Sequence, residues 1–196
     1  MSRLKYAALS AVVLMIACDA RAVKATQMDP SKTTYGERNP NAPNELAVFA
    51  FLVGKWQGTG TVKLENGKVA EFPVTWIGRY ILDGYTIADE AHSFFPDGSP
   101  ALGITLRQYD TNRKTWIVEF LNVSNSFLRR QVNGRSGSVT VDGPTVTVAS
   151  GAPDTAIREH YRVVDRGNWV YRLDQSTDGG RSWNEGQVEM TFRRLE

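Results

Sequence analysis

VTWIGRYILDGYTIADEA, residues 74–91, decides the fold of this chain, because apolar and polar residues alternate on both sides of Asp83-Gly84. Alternation with a period of two is the pattern of a strand that buries one face. Asp-Gly supplies the positive φ angles that a tight two-residue hairpin loop requires. The stretch therefore predicts a β-hairpin in which Leu82 pairs with Tyr85 and both side chains lie on the same face.

Similar turn signals recur along the chain at intervals of roughly ten to fifteen residues, each between short alternating runs. They are Asn66-Gly67, Asp97-Gly98, Asp110 to Asn112, Asn133-Gly134, Asp142-Gly143-Pro144, Asp165 to Asn168 and Asp178-Gly179-Gly180. This spacing predicts about ten antiparallel strands joined as a meander. A sheet of that length curls, and closing it removes its exposed edges. The predicted fold is an all-β meander barrel.

One short helix is predicted before the first strand. Asn44 is suited to cap it, Leu46, Phe49 and Val53 give it a three-to-four-residue apolar spacing, and Gly54 is suited to end it. The preceding residues, 23–43, are polar and rich in turn formers, and they predict a flexible tether. The barrel domain is therefore expected over residues 44–196.

Residues 1–22 have the order of a secretory signal. Arg3 and Lys5 precede an uncharged run, residues 6–17, and Ala20-Arg21-Ala22 follows. About twelve apolar residues are too few to span a bilayer. Two processing routes remain open: cleavage after Ala22, or cleavage before Cys18, which would then carry a lipid. Either way we expect an exported protein of the periplasm or cell envelope, touching a membrane only through such a lipid.

Charge and cysteine content exclude several classes of function. The chain has 23 basic and 21 acidic residues. The signal holds three of the former and one of the latter, so the remainder is neutral and lacks the excess positive charge that nucleic-acid binding requires. Cys18 is the only cysteine, and His92 and His160 are the only histidines. We therefore expect no disulfide, no thiolate metal site, no three-histidine zinc site and no metal.

Hairpin geometry assigns side chains to faces. A three-residue turn at residues 165–167, with Gly167 left-handed, would pair Val163 with Trp169. The expected inward rows are Val74, Trp76, Tyr80, Leu82; Tyr85, Ile87, Asp89, Ala91; Trp116, Val118, Phe120; Ile157, Glu159, Tyr161; and Trp169, Tyr171, Leu173. The expected outward residues are Glu90, His92, Arg158, His160 and Arg162.

One register conflicts with this assignment. A two-residue loop at Asn66-Gly67 would place Phe72 and Trp76 on the outer face. A bulge near Pro73 is expected to restore them to the interior.

Aromatic residues dominate the predicted interior. Six of them are candidates to line a small-molecule pocket: Trp76, Tyr80, Trp116, Tyr161, Trp169 and Tyr171. The same side chains would also pack well into a filled barrel, so both interpretations stay open.

Asp89 and Glu159 are the two carboxylates expected inside. A buried carboxylate must be paired, hydrated or protonated. A pair with raised pKa values could act as general acid and base in an enzyme such as an isomerase, hydratase or hydrolase. The alternative is a structural salt bridge to an inward arginine such as Arg107 or Arg130.

Several motifs resemble a known group. A short helix running into Gly54-x-Trp56 is similar to the entrance of lipocalin-like, or calycin, barrels. The further pieces Gly58-x-Gly60, Arg79 to Gly84, Tyr109 to Trp116 and Asp178 to Trp183 resemble the bacterial calycin-like family DUF1579. The resemblance covers about residues 46–196 and implies a calycin barrel without an established reaction.

Two further resemblances are local. In the nitrobindin branch of calycins one histidine ligates haem, but the resemblance to that branch stops after Gly60, and both histidines here fall on outward faces. No cofactor is therefore expected. Ser176-Thr-Asp-Gly-Gly-Arg-Ser-Trp183 fits the hairpin-tip pattern called the Asp box. A single copy predicts that Asp178 bonds its own loop backbone and that Trp183 packs beneath it.

The leading functional hypothesis is an envelope protein that binds a small apolar or amphipathic molecule inside the barrel. The first alternative is the acid–base enzyme on Asp89 and Glu159. The second is an interaction protein whose outward Arg158-x-His160-x-Arg162 row contacts a partner. The oligomeric state stays open.

Overall fold

Eleven antiparallel strands form one sheet in the part of the chain that the structure describes. The structure is a computed structural model, and it describes residues 36–94, 98–122, 129–130, 138–152 and 155–195. The strands are β1 (Gly54–Lys63), β2 (Val69–Ile81), β3 (Thr86–Phe94), β4 (Pro100–Asp110), β5 (Thr115–Asn122), β6 (Arg129–Arg130), β7 (Ser138–Asp142), β8 (Thr145–Ala152), β9 (Thr155–Asp165), β10 (Asn168–Ser176) and β11 (Asn184–Leu195). The signal, Cys18, the Asn133-Gly134 turn and the side chain of Arg130 lie outside the described residues.

The sheet is a nearly closed barrel. Each strand pairs with its neighbour in the chain, except that β6 and β7 are the two sheet edges and β1 also pairs with β11. Across the seam, β5 and β7 approach to within 8 Å between Cα atoms. Ten of the strands have five residues or more and β6 has two. The predicted meander barrel of about ten strands is confirmed.

A 3₁₀ helix, Asn44–Leu52, precedes β1 and buries Leu46, Phe49 and Leu52 completely. In a 3₁₀ helix residues three apart lie above one another. The third buried residue is therefore Leu52, three residues after Phe49, and not Val53, which the α-helical spacing predicted. The side chain of Asn44 does not cap the helix but accepts a hydrogen bond from Arg38. Among the described residues this is the only helix, and it is neither long nor apolar enough to cross a membrane.

The β1–β2 register removes the conflict at Phe72. Lys63 pairs with Val69, and the Leu64 amide donates a hydrogen bond to the Lys68 carbonyl, so the loop has three residues rather than two. The extra residue turns Phe72, Val74 and Trp76 inward without any irregularity in the β1–β2 ladder. The expected bulge near Pro73 is wrong.

The β2–β3 hairpin has the predicted register, since Tyr80 pairs with Ile87 and Trp76 pairs with Ala91. Leu82, however, is 71% exposed. Leu82, Asp83 and Gly84 all have positive φ. The ladder therefore ends at Ile81 and Thr86, and the interior assignment of Leu82 is wrong.

Residues 36–42 lie against this hairpin turn. The Asn39 amide donates to the Gly84 carbonyl, and the Asn39 side chain donates to Asp83 at 3.2 Å. A Cβ on Gly84 would lie 2.1 Å from the Asn39 nitrogen, so only glycine fits there. Ala42 is buried in the core.

The β9–β10 hairpin pairs Val163 with Trp169, as predicted. Its turn differs from the prediction. Asp165 also pairs with Asn168, the irregularity falls between Asn168 and Trp169, and Gly167 does not have positive φ. Asp165 instead accepts a hydrogen bond from the Gly167 amide, which holds the turn without a left-handed residue.

Candidate functional site

Aromatic side chains fill the end of the barrel where the 3₁₀ helix packs. The Phe49 ring lies edge-on to Trp116 with 5.0 Å between centroids, and Trp169 stacks on Phe192 at 4.0 Å. Tyr161 is completely buried, with its ring next to those of Phe49 and Trp169. The Trp56 indole donates to the Leu52 carbonyl, and its ring lies under the Arg194 guanidinium. This end of the barrel is packed core.

The other end of the barrel holds a cavity in two adjoining compartments. The outer compartment has a volume of about 310 Å³ and is lined by Val62, Phe72, Val74, Ala91, Ser93, Phe94, Ala101, Leu102, Gly103, Phe120, Asn122, Val188 and Met190. The inner compartment has a volume of about 350 Å³ and is lined by Trp76, Ala91, Thr105, Val118, Phe120, Val148, Ser150, Ile157, Glu159, Tyr171, Leu173, Gln175 and Met190. Ala91, Phe120 and Met190 line both compartments.

The six aromatic candidates divide between these two regions. Trp76 and Tyr171 line the inner compartment. Trp116, Tyr161, Trp169 and Tyr80 are buried and do not line either compartment. The alternation of apolar and polar residues along the strands correctly predicted that all six side chains point inward. It did not distinguish the residues that line the cavity from those in the packed core. That division depends on where along its strand each residue lies relative to the helix.

Asp89 is held by a buried salt bridge. Nε of Arg107 lies 2.8 Å from Oδ1 of Asp89, and Nη2 lies 3.2 Å from Oδ2. Both side chains are fully buried, and the guanidinium also lies 4.7 Å above the Phe49 ring. Burial raises the pKa of the Asp89 carboxyl, while the charge of Arg107 opposes that rise. The structural salt bridge between Asp89 and Arg107 is confirmed.

Glu159 has a different environment. The hydroxyls of Tyr161 and Tyr171 both donate to its Oε1, at 3.1 and 3.0 Å. Tyr161 in turn accepts a hydrogen bond from Nη2 of Arg107 at 3.0 Å, so a chain of contacts joins the two carboxylates through one arginine and one tyrosine. Burial raises the pKa of Glu159, and the charge of Arg107 and the two hydroxyls oppose the rise.

Electrostatics assigns the protons of this cluster. Burial raises the pKa values of Tyr161 and Tyr171 well above their usual range, so both phenols keep their protons and act as donors. Burial would lower the pKa of Arg107, but the neighbouring Asp89 charge raises it, and the guanidinium stays charged. One cation therefore faces two carboxyls, and only Glu159 of these three groups lines the cavity. Because Asp89 uses both oxygens on Arg107, no contact favours its use as a catalytic acid or base.

The two histidines lie outside this cavity. His92 is exposed on the outer surface, where it contacts Glu90. Nε2 of His160 lies 2.9 Å from Asp174, and Nδ1 lies 3.1 Å from the Thr147 hydroxyl. Among the described residues no group of three metal-ligating side chains is found.

The hydroxyl–imidazole–carboxylate row formed by Thr147, His160 and Asp174 was not visible in the sequence, because its members lie on three different strands. Asp174 also accepts hydrogen bonds from the Gly186 amide and from Arg172. The Gly186 contact spans the irregularity between β10 and β11, where the register shifts after Leu173. Asp174 therefore stabilises the backbone at this bulge.

Two other predicted surface features have defined contacts. The Arg158 guanidinium lies 3.7 Å above the Trp183 ring, so this arginine of the outward row packs within the chain. Asp178 accepts hydrogen bonds from the Arg181 and Ser182 amides, and Trp183 donates to the Gly180 carbonyl. The Ser182 hydroxyl, the Ser182 amide and the Ser176 hydroxyl, all of which donate to its carboxylate, lower the pKa of Asp178 to about 2. The predicted self-bonded hairpin tip is confirmed.

Some cavity residues were missing from the sequence-based site. Phe72, Val188 and Met190 form much of the outer compartment, and Thr105 and Ser150 contribute hydroxyls to the inner one. The alternation of Val188, Met190 and Phe192 along β11 was a usable signal, because all three face the core.

The fold and the cavity inside the barrel define a calycin-like β-barrel protein. Over residues 42–194 the sequence matches DUF1579, a family described as proteins of unknown function. The chain belongs to this family. No curated protein matches it in sequence.

Two solved structures share the fold. Rv2717c from M. tuberculosis is 16% identical with a TM-score of 0.53, and the match covers 80% of this chain and 100% of that one. The S-type phycobiliprotein lyase CPES from Guillardia theta is 11% identical with a TM-score of 0.56, and the match covers 78% and 93%. At these identities the likeness concerns the fold.

Proposed function

We propose that this chain is an exported envelope protein that binds a small apolar or amphipathic molecule in the barrel cavity. The observation that carries the proposal is the cavity itself, whose outer compartment is almost entirely apolar and whose inner compartment contains a few polar groups. Small-molecule sites have volumes of about 300–1,000 Å³ and this same composition. Of the six aromatic candidates, Trp76 and Tyr171 are the ligand contacts of the proposal, beside Phe72 and Phe120 of the cavity wall.

Export is supported by the order of residues 1–22. The proposal predicts that the chain isolated from a bacterial envelope begins after Ala22 or at a lipid-modified Cys18. The intact mass of the isolated protein distinguishes the two. A chain that retains residues 1–17 in the cell would contradict export and leave ligand binding untouched.

Ligand binding is tested by filling the cavity. Ala91 lines both compartments, so Ala91→Phe places a ring between them. The neutral fluorescent probe N-phenyl-1-naphthylamine should bind the protein isolated from the envelope, and should bind its Ala91→Phe variant at least about tenfold more weakly, which corresponds to about 1.4 kcal/mol. Quenching of the total tryptophan fluorescence, to which Trp76 in the cavity wall contributes, offers a second readout.

The matched control is His92→Phe, which adds the same ring to the next residue of β3 on the outer surface. It should leave probe binding unchanged. The proposal is wrong if the wild-type chain binds no apolar probe, or if Ala91→Phe folds and binds the probe as well as the wild type does.

A further inference from the structure

Glu159 is the only charged side chain among the described residues that line the cavity. A carboxylate in an apolar enclosure is costly unless a donor or a counter-ion satisfies it. Binding of a purely apolar molecule does not require such a group. Glu159 therefore gives one point of the cavity wall the ability to select a ligand by its charge.

Among the described residues, Arg107 is the cation that acts on Glu159, and it does not neutralise Glu159 directly. Arg107 is bound to both oxygens of Asp89, and it reaches Glu159 only through the Tyr161 hydroxyl. When both carboxyls are ionised, Asp89, Arg107 and Glu159 together carry one net negative charge. These three described groups therefore repel an anionic head group in the inner compartment and attract a cationic one.

The hydrogen bonds of Glu159 leave one oxygen available. Both tyrosine hydroxyls donate to Oε1, and Oε2 has no hydrogen-bond partner among the described residues. Two donors on one oxygen support the ionised form. A donor on a bound molecule would complete the coordination of the carboxylate and supply the missing positive charge.

The outer compartment gives the expected shape of such a molecule. It adjoins the inner one through Ala91, Phe120 and Met190, and its lining is apolar apart from Ser93 and Asn122. Phe94, which is 55% exposed, lies on its wall. A molecule with its polar end at Glu159 would therefore extend an apolar chain away from the 3₁₀ helix toward the exposed end of the barrel.

From these contacts we infer that Glu159 is a head-group site, and that the cavity selects an elongated apolar molecule with a protonated amine over one with a carboxylate. The inference rests on the proposed function and specifies its ligand class.

The experiment compares three molecules with the same chain and different head groups: decylamine, 1-decanol and decanoate. Each competes with N-phenyl-1-naphthylamine for the protein isolated from the envelope at about pH 7, where the amine is a cation and the acid an anion. Decylamine should displace the probe at a concentration at least about tenfold lower than decanoate, as expected for a charge-assisted hydrogen bond. Decanol should fall between them.

Glu159→Gln keeps an oxygen for the two tyrosine hydroxyls and removes the charge. It should abolish the preference for decylamine while decanol binding stays within about twofold of wild type, which also shows that the variant is folded. Glu90→Gln is the control, because Glu90 pairs with Arg79 on the outer surface. It should retain the wild-type order.

The wild-type pH dependence is a second measurement that does not depend on any variant. Acidification protonates Glu159, whose pKa is raised, so the preference for decylamine over decanol, neither of which changes its charge on acidification, should fall as the pH decreases. The inference is overturned if decanoate binds as well as decylamine, or if Glu159→Gln still prefers decylamine. It is also overturned if the preference for decylamine over decanol does not change with pH. In each of these cases, binding of decanol would still support the proposed function. If neither the probe nor any of the three molecules binds, the proposed function fails as well.

Discussion

The two ends of this barrel differ in how their aromatic residues are used. Around the 3₁₀ helix, Phe49, Trp116 and Trp169 fill the interior completely. Toward the other end, Phe72 and Phe120 stand at the wall of a cavity. The same alternation along the strands produces both regions. In this barrel the packed end is filled by the inserted helix together with large aromatic side chains of the strands, whereas small strand residues such as Ala91 and Gly103 leave the other end hollow.

The largest expected effect comes from truncating an aromatic residue at each end. Phe49→Ala removes a fully buried ring from the packed end and should lower the free energy of unfolding by about 3–5 kcal/mol. Phe72→Ala should lower it by less than about 2 kcal/mol, because that ring already borders empty space. Urea denaturation of both variants measures the contrast. Equal losses would mean that the two ends are packed alike.

Breaking the buried salt bridge should be nearly as harmful as truncating Phe49. Arg107→Met leaves Asp89 buried without its partner, and loss of one member of a buried pair costs about 3–5 kcal/mol. Arg113→Met is the control, since Arg113 is 81% exposed beside Asp110 and its pair contributes about 0–1 kcal/mol. The same denaturation experiment compares them. A loss below about 1 kcal/mol for Arg107→Met would show that the packed end tolerates an unpaired charge.

Glu159, at the boundary between the two ends, should make stability depend on pH. Its pKa is raised in the folded state, so the folded protein holds the proton over a range where the unfolded chain has lost it. Stability should therefore fall as the pH rises above the ordinary glutamate value of 4.5, by at most about 1.4 kcal/mol per pH unit. Subtracting the Glu159→Gln profile from that of the wild type isolates this group. A difference that grows in favour of the wild type with rising pH would have the wrong sign.

The smallest expected effect concerns the hairpin between β10 and β11, which hydrogen bonds rather than apolar packing hold together. The pKa of Asp178 is lowered to about 2, so its contribution is present above the usual aspartate value and is lost as the pH falls toward 2. Asp178→Asn should accelerate amide exchange at Arg181 and Ser182 and leave that of the packed end unchanged. Accelerated exchange at Tyr161 would mean that the hairpin and the core open together.

Local chemistry in the sequence was sufficient for the strands and most of their faces. Asp83-Gly84 set the β2–β3 register, and the inward positions of Trp76, Asp89 and Glu159 followed from it and from the β9–β10 turn. The errors lie at turns. Leu82 left the interior because its φ is positive, and Phe72 needed a loop one residue longer rather than a bulge. Turn length depends on backbone hydrogen bonds that residue types alone do not specify.

The candidate site could be predicted only in part. The sequence indicated that Arg107 could pair with an inward carboxylate. It did not indicate that Arg107 would bind both oxygens of Asp89, nor that two tyrosine hydroxyls would donate to Glu159. That choice depends on strand stagger, which brings Arg107 of β4 next to Asp89 of β3 and beneath Tyr161 of β9.

By itself, the sequence determined the barrel, its meander order and the residues that point inward, because alternation and turn residues act over a few neighbouring positions. Only the tertiary structure decided which of those residues are core, which face the cavity and which carboxylate is neutralised. These properties depend on contacts between residues far apart in the chain. The helix fills one end of the barrel, and the distances between charged atoms on different strands determine which of them pair.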